Sequence, residues 1–258
     1  MSEEPGPTVL VTNDDGIDSE GLRLLAEAAA RAGLAAVVAA PAMQASGSSA
    51  AMTATAPDGR IVVQRRKLAG LEGVAAYAVE AAPGFIAFIA IRGAFGLTPD
   101  LVLSGINRGP NTGRAVLHSG TVGAAMTAAT VGVRAAAFSL DVPPGGEPQW
   151  QTGAAVAAQI IPALRDLPPG VVLNVNIPNL PPDQVRGIRR AHLAEFGAVQ
   201  VTIVETAEDH LQVTMAESGR KPEAGSDSAL LADGYASVTP LQPVCEAPQS
   251  WLPWPAEA

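Results

Sequence analysis

Residues 8–41 constrain the fold most, because they read as a strand, a helix and a second strand in direct succession. The runs TVLVT (8–12) and LAAVVAAP (34–41) are apolar almost throughout. Between them, SEGLRLLAEAAARAG (19–33) spaces its apolar residues along one helix face and ends at Gly33. Continuously apolar strands are typical of a parallel sheet whose two faces are both covered. The segment therefore predicts an α/β fold with a mostly parallel sheet flanked by helices.

The same alternation continues through most of the chain and then changes. DLVLSG (100–105) reads as a buried strand followed at once by a glycine-rich loop, and Pro162 should break the helix in which it lies. Two alternating stretches predict a β-hairpin near 199–216, with AEDH at its turn. We expect one α/β domain, with its core in about residues 8–185 and a C-terminal hairpin region for oligomerisation in about residues 186–258. Further strands are predicted at 59–68, 74–80, 133–140 and 170–178, and further helices at 84–95, 119–132 and 152–167.

The composition argues against several classes of function. The 258 residues carry a formal net charge of −9, which disfavours nucleic-acid polymers and anionic membranes as partners. Aromatic residues make up only 4% of the chain, too few for the stacking platforms that bind single-stranded nucleic acid. Cys245 is the one cysteine, so no disulfide forms within the chain. Because neither a signal peptide nor an apolar run of about 20 residues is visible, we expect a cytoplasmic protein without a membrane span.

Three polar loops follow predicted strands and should meet at one edge of the sheet. In open parallel sheets, ligands bind outside the carboxyl ends of the strands. Each loop is a weak signal alone, and their shared location predicts a site. The three loops are NDDG (13–16), PAMQASGSSA (41–50) and SGINRGPNTG (104–113). In the second loop, the serines of SGSS offer hydroxyl ligands or phosphate donors, or simply make a flexible turn.

Asp14 and Asp15 give the first loop its chemistry. Neighbouring carboxylates repel each other unless a cation lies between them, and Gly16 permits a turn in which they converge. Hard oxygen ligands of this kind suit Mg²⁺, Mn²⁺ or Ca²⁺. The alternative is a solvated turn in which Asp15 or Asp18 caps the helix. The residues alone leave both interpretations open.

The third loop has the composition of an anion site. Asn107 and Asn111 offer neutral oxygens, and Arg108 offers a forked donor for phosphate. The alternative is an ordinary turn, since asparagine and glycine are common turn residues. The glycines whose backbone amides could form an anion cradle are Gly105, Gly109 and Gly113.

The stretch HSGTVGAA (118–125) adds a predicted helix N-terminus to this loop. Ser119, Gly120 and Thr121 stand where the helix should begin, and such a terminus is a ready phosphate site. The alternative for Ser119 is a simple helix cap. His118 lies beside the expected phosphate site, which makes it a candidate substrate-binding residue.

Five stretches of the sequence have the character of family motifs: VTNDDGIDSEGL, SGINRGPNTG, LHSGTVGAA, LNVNIP and GYASVTPL. Together they resemble the SurE (stationary-phase survival protein) family of 5′/3′-nucleotidases. The resemblance runs from about residue 8 to about residue 243, nearly the whole chain. It implies a Rossmann-like α/β core with a protruding C-terminal region used in dimer or tetramer assembly. It also implies a divalent-metal-dependent phosphatase that acts on nucleoside monophosphates.

The resemblance also implies one divalent metal ion per subunit, Mg²⁺ or Mn²⁺. Among the serines of the second loop, Ser46 is chosen over Ser48 and Ser49 by its distance after Pro41. One stretch departs from the family: a Gly-Thr-Pro-x-Asp-Cys-type segment is replaced by EAAPGFIAF (80–88), which lacks the threonine and the aspartate. The implied metal ligands are Asp14, Asp15, Ser46 and Asn107.

The resulting hypothesis is metal-assisted hydrolysis of nucleoside 5′-monophosphates, with 3′ esters as a further option, by a homodimer or homotetramer. Asp14 and Asp15 are the expected catalytic residues; one of them orients or deprotonates water, or attacks phosphorus directly. A nucleotide- and metal-binding protein, disabled by its 80–88 segment, is one alternative. A zinc-dependent deacetylase-type hydrolase, which needs histidine ligands, is the other. The expected phosphate- or substrate-binding residues are Asn13, Ser104, Gly105, Arg108, Asn111, His118, Ser119, Gly120 and Thr121.

Overall fold

The structure is a computed structural model, and it describes residues 6–54, 59–195, 199–206, 211–217 and 221–246. Within these ranges, strands and helices alternate through most of the chain, as the sequence predicts. The strands are β1 (Thr8–Thr12), β2 (Ala35–Pro41), β3 (Val63–Arg66), β4 (Ala75–Val79), β5 (Leu101–Arg108), β6 (Arg134–Asp141), β7 (Val172–Pro178), β8 (Ile188–Arg190), β9 (Val199–Thr206), β10 (Leu211–Glu217) and β11 (Ala236–Leu241).

Nine of these strands form one mixed sheet in the order β3-β4-β2-β1-β5-β6-β7-β11-β8. The strands from β4 to β7 in this order all pair in parallel. Antiparallel pairing occurs only near the two ends, between β3 and β4 and between β7 and β11. The predicted mostly parallel sheet is therefore confirmed. The carboxyl ends of β1, β2 and β5, which are adjacent in the sheet, lie at one edge.

Helices cover both faces of this sheet. Val9 and Val11 of β1 point into one hydrophobic core, whereas Leu10 between them belongs to the other. Because both faces are buried, the central strands need apolar residues at every position, which explains their continuous hydrophobic runs. The helices are α1 (Glu20–Arg31) and α4 (Trp150–Ile160) on one face, α2 (Pro83–Ala90) and α3 (Gly120–Ala129) on the other, and the short α5 (Asp227–Ala232).

Several element boundaries differ from the sequence prediction, and the strand predicted at 59–68 is confined to Val63–Arg66. The strand predicted at 100–105 does not give way at once to a loop, because β5 continues and pairs Asn107 and Arg108 with β6. The helix predicted at 84–95 is shorter and ends at Ala90. The break predicted at Pro162 is confirmed: α4 ends at Ile160 and a 3₁₀ helix (Ile161–Asp166) follows. Proline supplies no backbone N–H and so cannot continue the α-helical hydrogen-bond ladder.

The C-terminal third of the chain contains both a separate hairpin and further strands of the main sheet. The predicted hairpin is confirmed as the antiparallel pair β9 and β10, whereas its expected turn, residues 207–210, lies outside the described residues. The sequence did not predict β8 and α5, and β11 was noted only as part of a family motif; β8 and β11 extend the main sheet beyond β7. No helix in the described part of the chain is long and apolar enough to cross a membrane.

Candidate metal and phosphate site

The turn after β1 is closed by Asn13. The side-chain amide of Asn13 donates to the carbonyl of Gly16 at 3.1 Å and to the hydroxyl of Ser19 at 2.6 Å. Its side-chain oxygen accepts the N–H of Gly16 at 3.2 Å. Gly16 has φ +101°, a left-handed conformation that favours glycine. Asn13, expected as a substrate ligand, thus has protein partners for both ends of its amide and positions the aspartates that follow it.

Neither Asp15 nor Asp18 caps α1. The cap is Ser19, whose hydroxyl accepts the N–H of Leu22 at 3.3 Å. Asp18 instead pairs with Arg66, with the closest N–O distance at 2.7 Å. The capping alternative from the sequence is therefore wrong, and the carboxylates of Asp14 and Asp15 are not used at the helix terminus.

Asp14 is buried beside the first turn of α3. Its carboxylate is 5% exposed, and its Oδ1 accepts a short hydrogen bond from the hydroxyl of Thr121. Burial raises the pKa of Asp14 above its usual value, and the nearby charge of Asp15 raises it further. The hydrogen bond from the Thr121 hydroxyl lowers the pKa of Asp14, but by less than burial raises it. A buried carboxylate in this situation is stabilised by any cation that binds next to it.

Asp15 connects the β1 turn to the end of β5. Its Oδ2 accepts the backbone N–H of Arg108 at 3.0 Å, which places residue 107 and the aspartate turn side by side. Burial raises the pKa of Asp15, and the N–H and charge of Arg108 only partly offset that rise. Among the described residues, no lysine or arginine side chain forms an ion pair with Asp14 or Asp15. Two neighbouring carboxylates thus share a partly buried site, and the charge of Arg108 acts on Asp15 without forming an ion pair with it.

The serine loop after β2 packs over this turn. The backbone N–H of Ala45 donates to the carbonyl of Asp14 at 2.7 Å. Ser46, the next residue, is exposed, and its hydroxyl accepts the side-chain amide of Gln44 at 2.9 Å. Ser49 is tied away from the aspartates, since its hydroxyl donates to the carbonyl of Leu117 at 2.6 Å. Ser46 therefore lies next to the aspartate turn, and its hydroxyl is bonded to the exposed side chain of Gln44.

Gly120 lies where Ser48 and Asp14 converge. A Cβ at Gly120 would stand 2.6 Å from Ser48 Oγ and 2.8 Å from Asp14 Oδ2. The Ser48 hydroxyl oxygen is buried and has no hydrogen-bond partner among the described residues. Any side chain at position 120 would fill the space between these oxygens, so the close approach of α3 requires glycine.

The end of β5 contributes further oxygens. The amide nitrogen of Asn107 donates to the carbonyl of Gly109 at 2.8 Å, so its side-chain oxygen is the atom left for a cation. Ser104 and Thr12 lie opposite each other on β5 and β1, fully buried, and neither hydroxyl has a partner among the described residues. Gly105, with φ +133°, passes so close to β6 that a Cβ would lie 2.3 Å from a backbone oxygen.

The N-terminus of α3 completes the arrangement. Ser119 is the helix cap, and its hydroxyl accepts the N–H of Val122 at 3.1 Å. His118 is exposed at the end of a 3₁₀ helix that leads into α3, and Arg108 is exposed and donates to the carbonyl of Gly146 at 3.0 Å. The capping role expected as the alternative for Ser119 is therefore present. The backbone amides at the start of α3 lie beside Asp14, in the position of an anion site.

This geometry agrees with a known family. A model of the family described as Survival protein SurE matches residues 9–199. The chain is 36% identical over 238 residues to the 5′-nucleotidase SurE of Aeromonas hydrophila subsp. hydrophila, which covers 90% of this chain and 91% of that protein. The chain belongs to the SurE family. The resemblance inferred from its motifs is confirmed.

Two further comparisons extend this SurE assignment. The 5′/3′-nucleotidase SurE of Serratia proteamaculans is 34% identical over 239 residues, covering 91% of this chain and 89% of that protein. The crystal structure of the SurE protein from Aquifex aeolicus matches with a TM-score of 0.79 and 30% identity, over 95% of this chain and 97% of that one. The fold is thus shared along nearly the full length of this SurE chain.

Asn111 has a structural position in this SurE chain. Its backbone N–H donates to Asn176 Oδ1 at 2.7 Å, and its carbonyl accepts the amides of Asn174 at 2.8 Å and Asn176 at 3.0 Å. Its own side-chain amide donates to Ser139 at 2.8 Å. Asn111, expected as a substrate ligand, therefore anchors residues 109–118, which we call the entry loop, to β6 and β7. The signal for this anchor was the pair of asparagines inside the otherwise apolar LNVNIP stretch.

Asp227 is a residue that the sequence analysis did not single out. It is fully buried at the start of α5 and accepts backbone N–H groups from Gly113, Ala194 and Ser228. The only local signal is the SDS stretch before an apolar run, which indicates a helix start. Its contact with the entry loop joins residues 114 apart and has no local signature.

Proposed function

We propose that this SurE chain is a divalent-metal-dependent phosphatase that hydrolyses nucleoside 5′-monophosphates, and also 3′-monophosphates, to nucleoside and phosphate. One observation carries the proposal: Asp14 is buried against the first turn of α3, and the partly buried carboxylate of Asp15 follows it directly in the chain. A cation site next to an anion site is what a phosphomonoester needs. Family membership and the names of the two nucleotidase relatives support the same activity.

The donor atoms fit a hard divalent cation. The proposed ligands are Asp14, Asp15, Ser46 and Asn107, and all four offer oxygen, the donor that Mg²⁺ and Mn²⁺ prefer. The raised pKa values of both aspartates and the unpartnered hydroxyl of Ser48 indicate a site that favours a positive charge and polar ligands. One bound ion per subunit would neutralise phosphate charge and lower the pKa of water.

The chain itself supplies the contacts to the phosphoryl group. The start of α3 directs backbone N–H groups toward the space beside Asp14, and the absence of a side chain at Gly120 keeps that space open. We assign phosphate binding to the backbone and hydroxyl groups of Ser104, Gly105, Ser119, Gly120 and Thr121. Exposed Arg108 and His118 are proposed to contact the substrate outside this cradle. Asn13 and Asn111 are proposed to act by positioning the loops that carry these groups.

The reaction requires an oxygen nucleophile on phosphorus and departure of the ester oxygen with a proton. One of the two aspartates orients or deprotonates the attacking water, or attacks phosphorus itself; in the second case water then hydrolyses the aspartyl phosphate, which releases phosphate and restores the carboxylate. Thr121 holds one oxygen of Asp14, which leaves the other oxygen of that carboxylate for this role. Rate enhancement then comes mainly from positioning and from stabilisation of charge on the phosphoryl oxygens.

A binding protein without turnover is the second candidate, because segment 80–88 departs from the family. In the structure this segment begins α2, and its N-cap Ala82 makes no side-chain capping bond. The departure therefore removes polar groups near a helix start and leaves the aspartate turn intact. For the zinc alternative, no group of three or more His, Cys, Asp or Glu side chains clusters within the described ranges.

Replacement of Asp14 by asparagine tests the proposal. The Asp14→Asn variant keeps the size of the side chain and an oxygen that can accept the Thr121 hydrogen bond. We expect it to fold and to lose turnover, measured as phosphate release in the presence of Mg²⁺ or Mn²⁺. Near-normal activity in the folded variant would remove Asp14 from the mechanism.

We further propose assembly as a homodimer or homotetramer through the β9–β10 hairpin. The cytoplasmic location stays a prediction.

A further inference from the structure

Besides the contacts of Asn111, the entry loop has a hydrogen bond to a buried carboxylate near the C-terminal end of the described chain. Asp227 is 0% exposed, and its Oδ2 accepts the N–H of Gly113 at 2.8 Å. Gly113 is the first residue of the 3₁₀ helix Gly113–His118, whose N-cap Thr112 makes no side-chain capping bond. The first N–H groups of a helix lack partners within the helix. Asp227 therefore supplies the acceptor for this helix start from outside the loop.

The second oxygen of Asp227 binds the C-terminal segment. Its Oδ1 accepts the N–H of Ala194 at 2.9 Å and of Ser228 at 2.8 Å. The backbone N–H of Asp227 donates to the carbonyl of His192 at 2.8 Å. Ala194 precedes the hairpin strand β9 by a few residues. One side chain thus joins the entry loop, the chain segment at Ala194 and the start of α5.

The entry loop leads without a gap into the proposed phosphate cradle. The 3₁₀ helix ends at His118, and the next residue, Ser119, caps α3. The N–H of Ser119 donates to the carbonyl of Val116 at 3.2 Å, so the two helices are hydrogen-bonded to each other. A shift at Gly113 would be transmitted over one short helix to the backbone amides at the start of α3.

We propose that Asp227 is a positioning residue for the phosphate cradle, and that it couples the cradle to the C-terminal segment that carries the hairpin. It touches neither substrate nor metal. The inference rests on the proposed function for the identity of the cradle. The hold of Asp227 on the entry loop stands independently, because it depends only on the hydrogen bond to Gly113.

Asp227→Asn tests this role, with Asp233→Asn as the matched control on the same helix. Asp233 is exposed, so the control makes the same change of charge without loss of a buried acceptor. For Asp227→Asn, we expect the dissociation constant of inorganic phosphate, used as a competitive inhibitor, to rise about tenfold. The dissociation constant of Mn²⁺, measured by electron paramagnetic resonance without phosphate, should stay within about twofold, since Asp14 and Asp15 lie on a separate turn.

Three outcomes overturn the inference. The first is unchanged phosphate affinity in folded Asp227→Asn, and the second is an equal loss of phosphate and Mn²⁺ affinity, which indicates general disruption. The third is unchanged amide hydrogen exchange over residues 113–119, where we expect about tenfold faster exchange than in the wild type while α1 is unaffected. If the asparagine variant does not fold, Asp227→Glu retains the charge and should show the same selective loss to a smaller degree. A wild-type protein that binds no phosphate contradicts the proposed function, and hydrogen exchange still tests Asp227.

Discussion

The hydroxyl of Thr121 donates a hydrogen bond to the carboxylate of Asp14 across 107 residues of sequence. This contact joins the first turn of α3 to the turn after β1, the two parts of the site that would bind phosphate and metal. Both residues are buried, so water could not readily replace either partner if the hydrogen bond were removed. The relative placement of cation and anion sites depends on this bond.

Thr121→Val should lower kcat/KM by about one to two orders of magnitude, because a hydrogen bond to a charged group is lost at the site. Valine keeps the shape of threonine, so the variant should remain folded. Thr127→Val is the matched control, since the Thr127 hydroxyl bonds only within α3, to the carbonyl of Gly123 at 2.8 Å. Steady-state phosphate release measures kcat/KM for both variants. Equal effects of the two substitutions would contradict a special role for Thr121.

The stability of the metal-free protein should depend on the ionisation of Asp14. Burial raises the folded-state pKa of this carboxyl, so between the unfolded-state pKa and the folded-state pKa the folded protein holds more protons than the unfolded chain. Stability therefore falls as the pH rises through that interval. Asp14→Asn removes this dependence. In a chelator at neutral pH, we expect a higher Tm for Asp14→Asn than for the wild type.

This advantage should disappear at low pH, where both folded and unfolded wild-type chains are protonated at Asp14. Thermal unfolding from about pH 3, below the usual pKa of aspartate, to about pH 7 would show the loss of this advantage, with Asp18→Asn as an exposed control. Added Mg²⁺ or Mn²⁺ should raise the Tm of the wild type alone. A wild-type protein that is the more stable one throughout this range, without metal, would refute the argument.

Alanine substitutions at the three serines after β2 should separate their roles. Ser46→Ala should weaken Mn²⁺ binding by about tenfold, because it removes a proposed ligand. Ser49→Ala should leave Mn²⁺ affinity unchanged, since its hydroxyl is bound to the carbonyl of Leu117. Binding is measured by electron paramagnetic resonance. If Ser48→Ala weakens Mn²⁺ binding and Ser46→Ala does not, the buried Ser48 hydroxyl is the ligand and the proposed set is wrong.

The β9–β10 hairpin should carry the contact between subunits. It pairs only with itself among the described strands, and an isolated two-stranded hairpin is marginally stable in water. Assembly would cover its unpaired edges. Multi-angle light scattering at micromolar concentration should give a dimer or a tetramer for the full chain. A monomer under these conditions would count against the hairpin as an assembly element.

Much of the fold could be predicted because it is written in local patterns. Apolar runs predict the buried strands, and Ser119 precedes α3 as a cap. For α1 the sequence indicates a cap near its start but not which residue it is, because the cap is Ser19 and neither Asp15 nor Asp18. The end of β5 could not be predicted in this way, because Asn107 and Arg108 read as loop residues. They extend the strand only through pairing with β6, a contact between distant parts of the chain.

The site divides along the same line. The aspartate pair and the start of α3 have local signatures, and the sheet edge brings them together as expected. The residues that support the site have no local signature. Asn174 and Asn176 bind Asn111, and Asp227 binds Gly113, over separations of 63 to 114 residues. Such contacts depend on the completed packing of the sheet and its loops. For the same reason the sequence predicts Asn111 as a substrate ligand and gives no sign of its hydrogen bonds to Asn174 and Asn176.

The most direct test of the central claim is phosphate release from a panel of 5′- and 3′-nucleoside monophosphates. The reactions run in parallel with EDTA, Mg²⁺, Mn²⁺ and Zn²⁺, for the wild type and for Asp14→Asn. The account predicts release by the wild type with Mg²⁺ or Mn²⁺, none with EDTA, and none by the folded variant. Release supported by Zn²⁺ alone would contradict the assignment of Mg²⁺ or Mn²⁺ as the metal. No release under any metal would contradict the account and favour a nucleotide-binding protein without turnover.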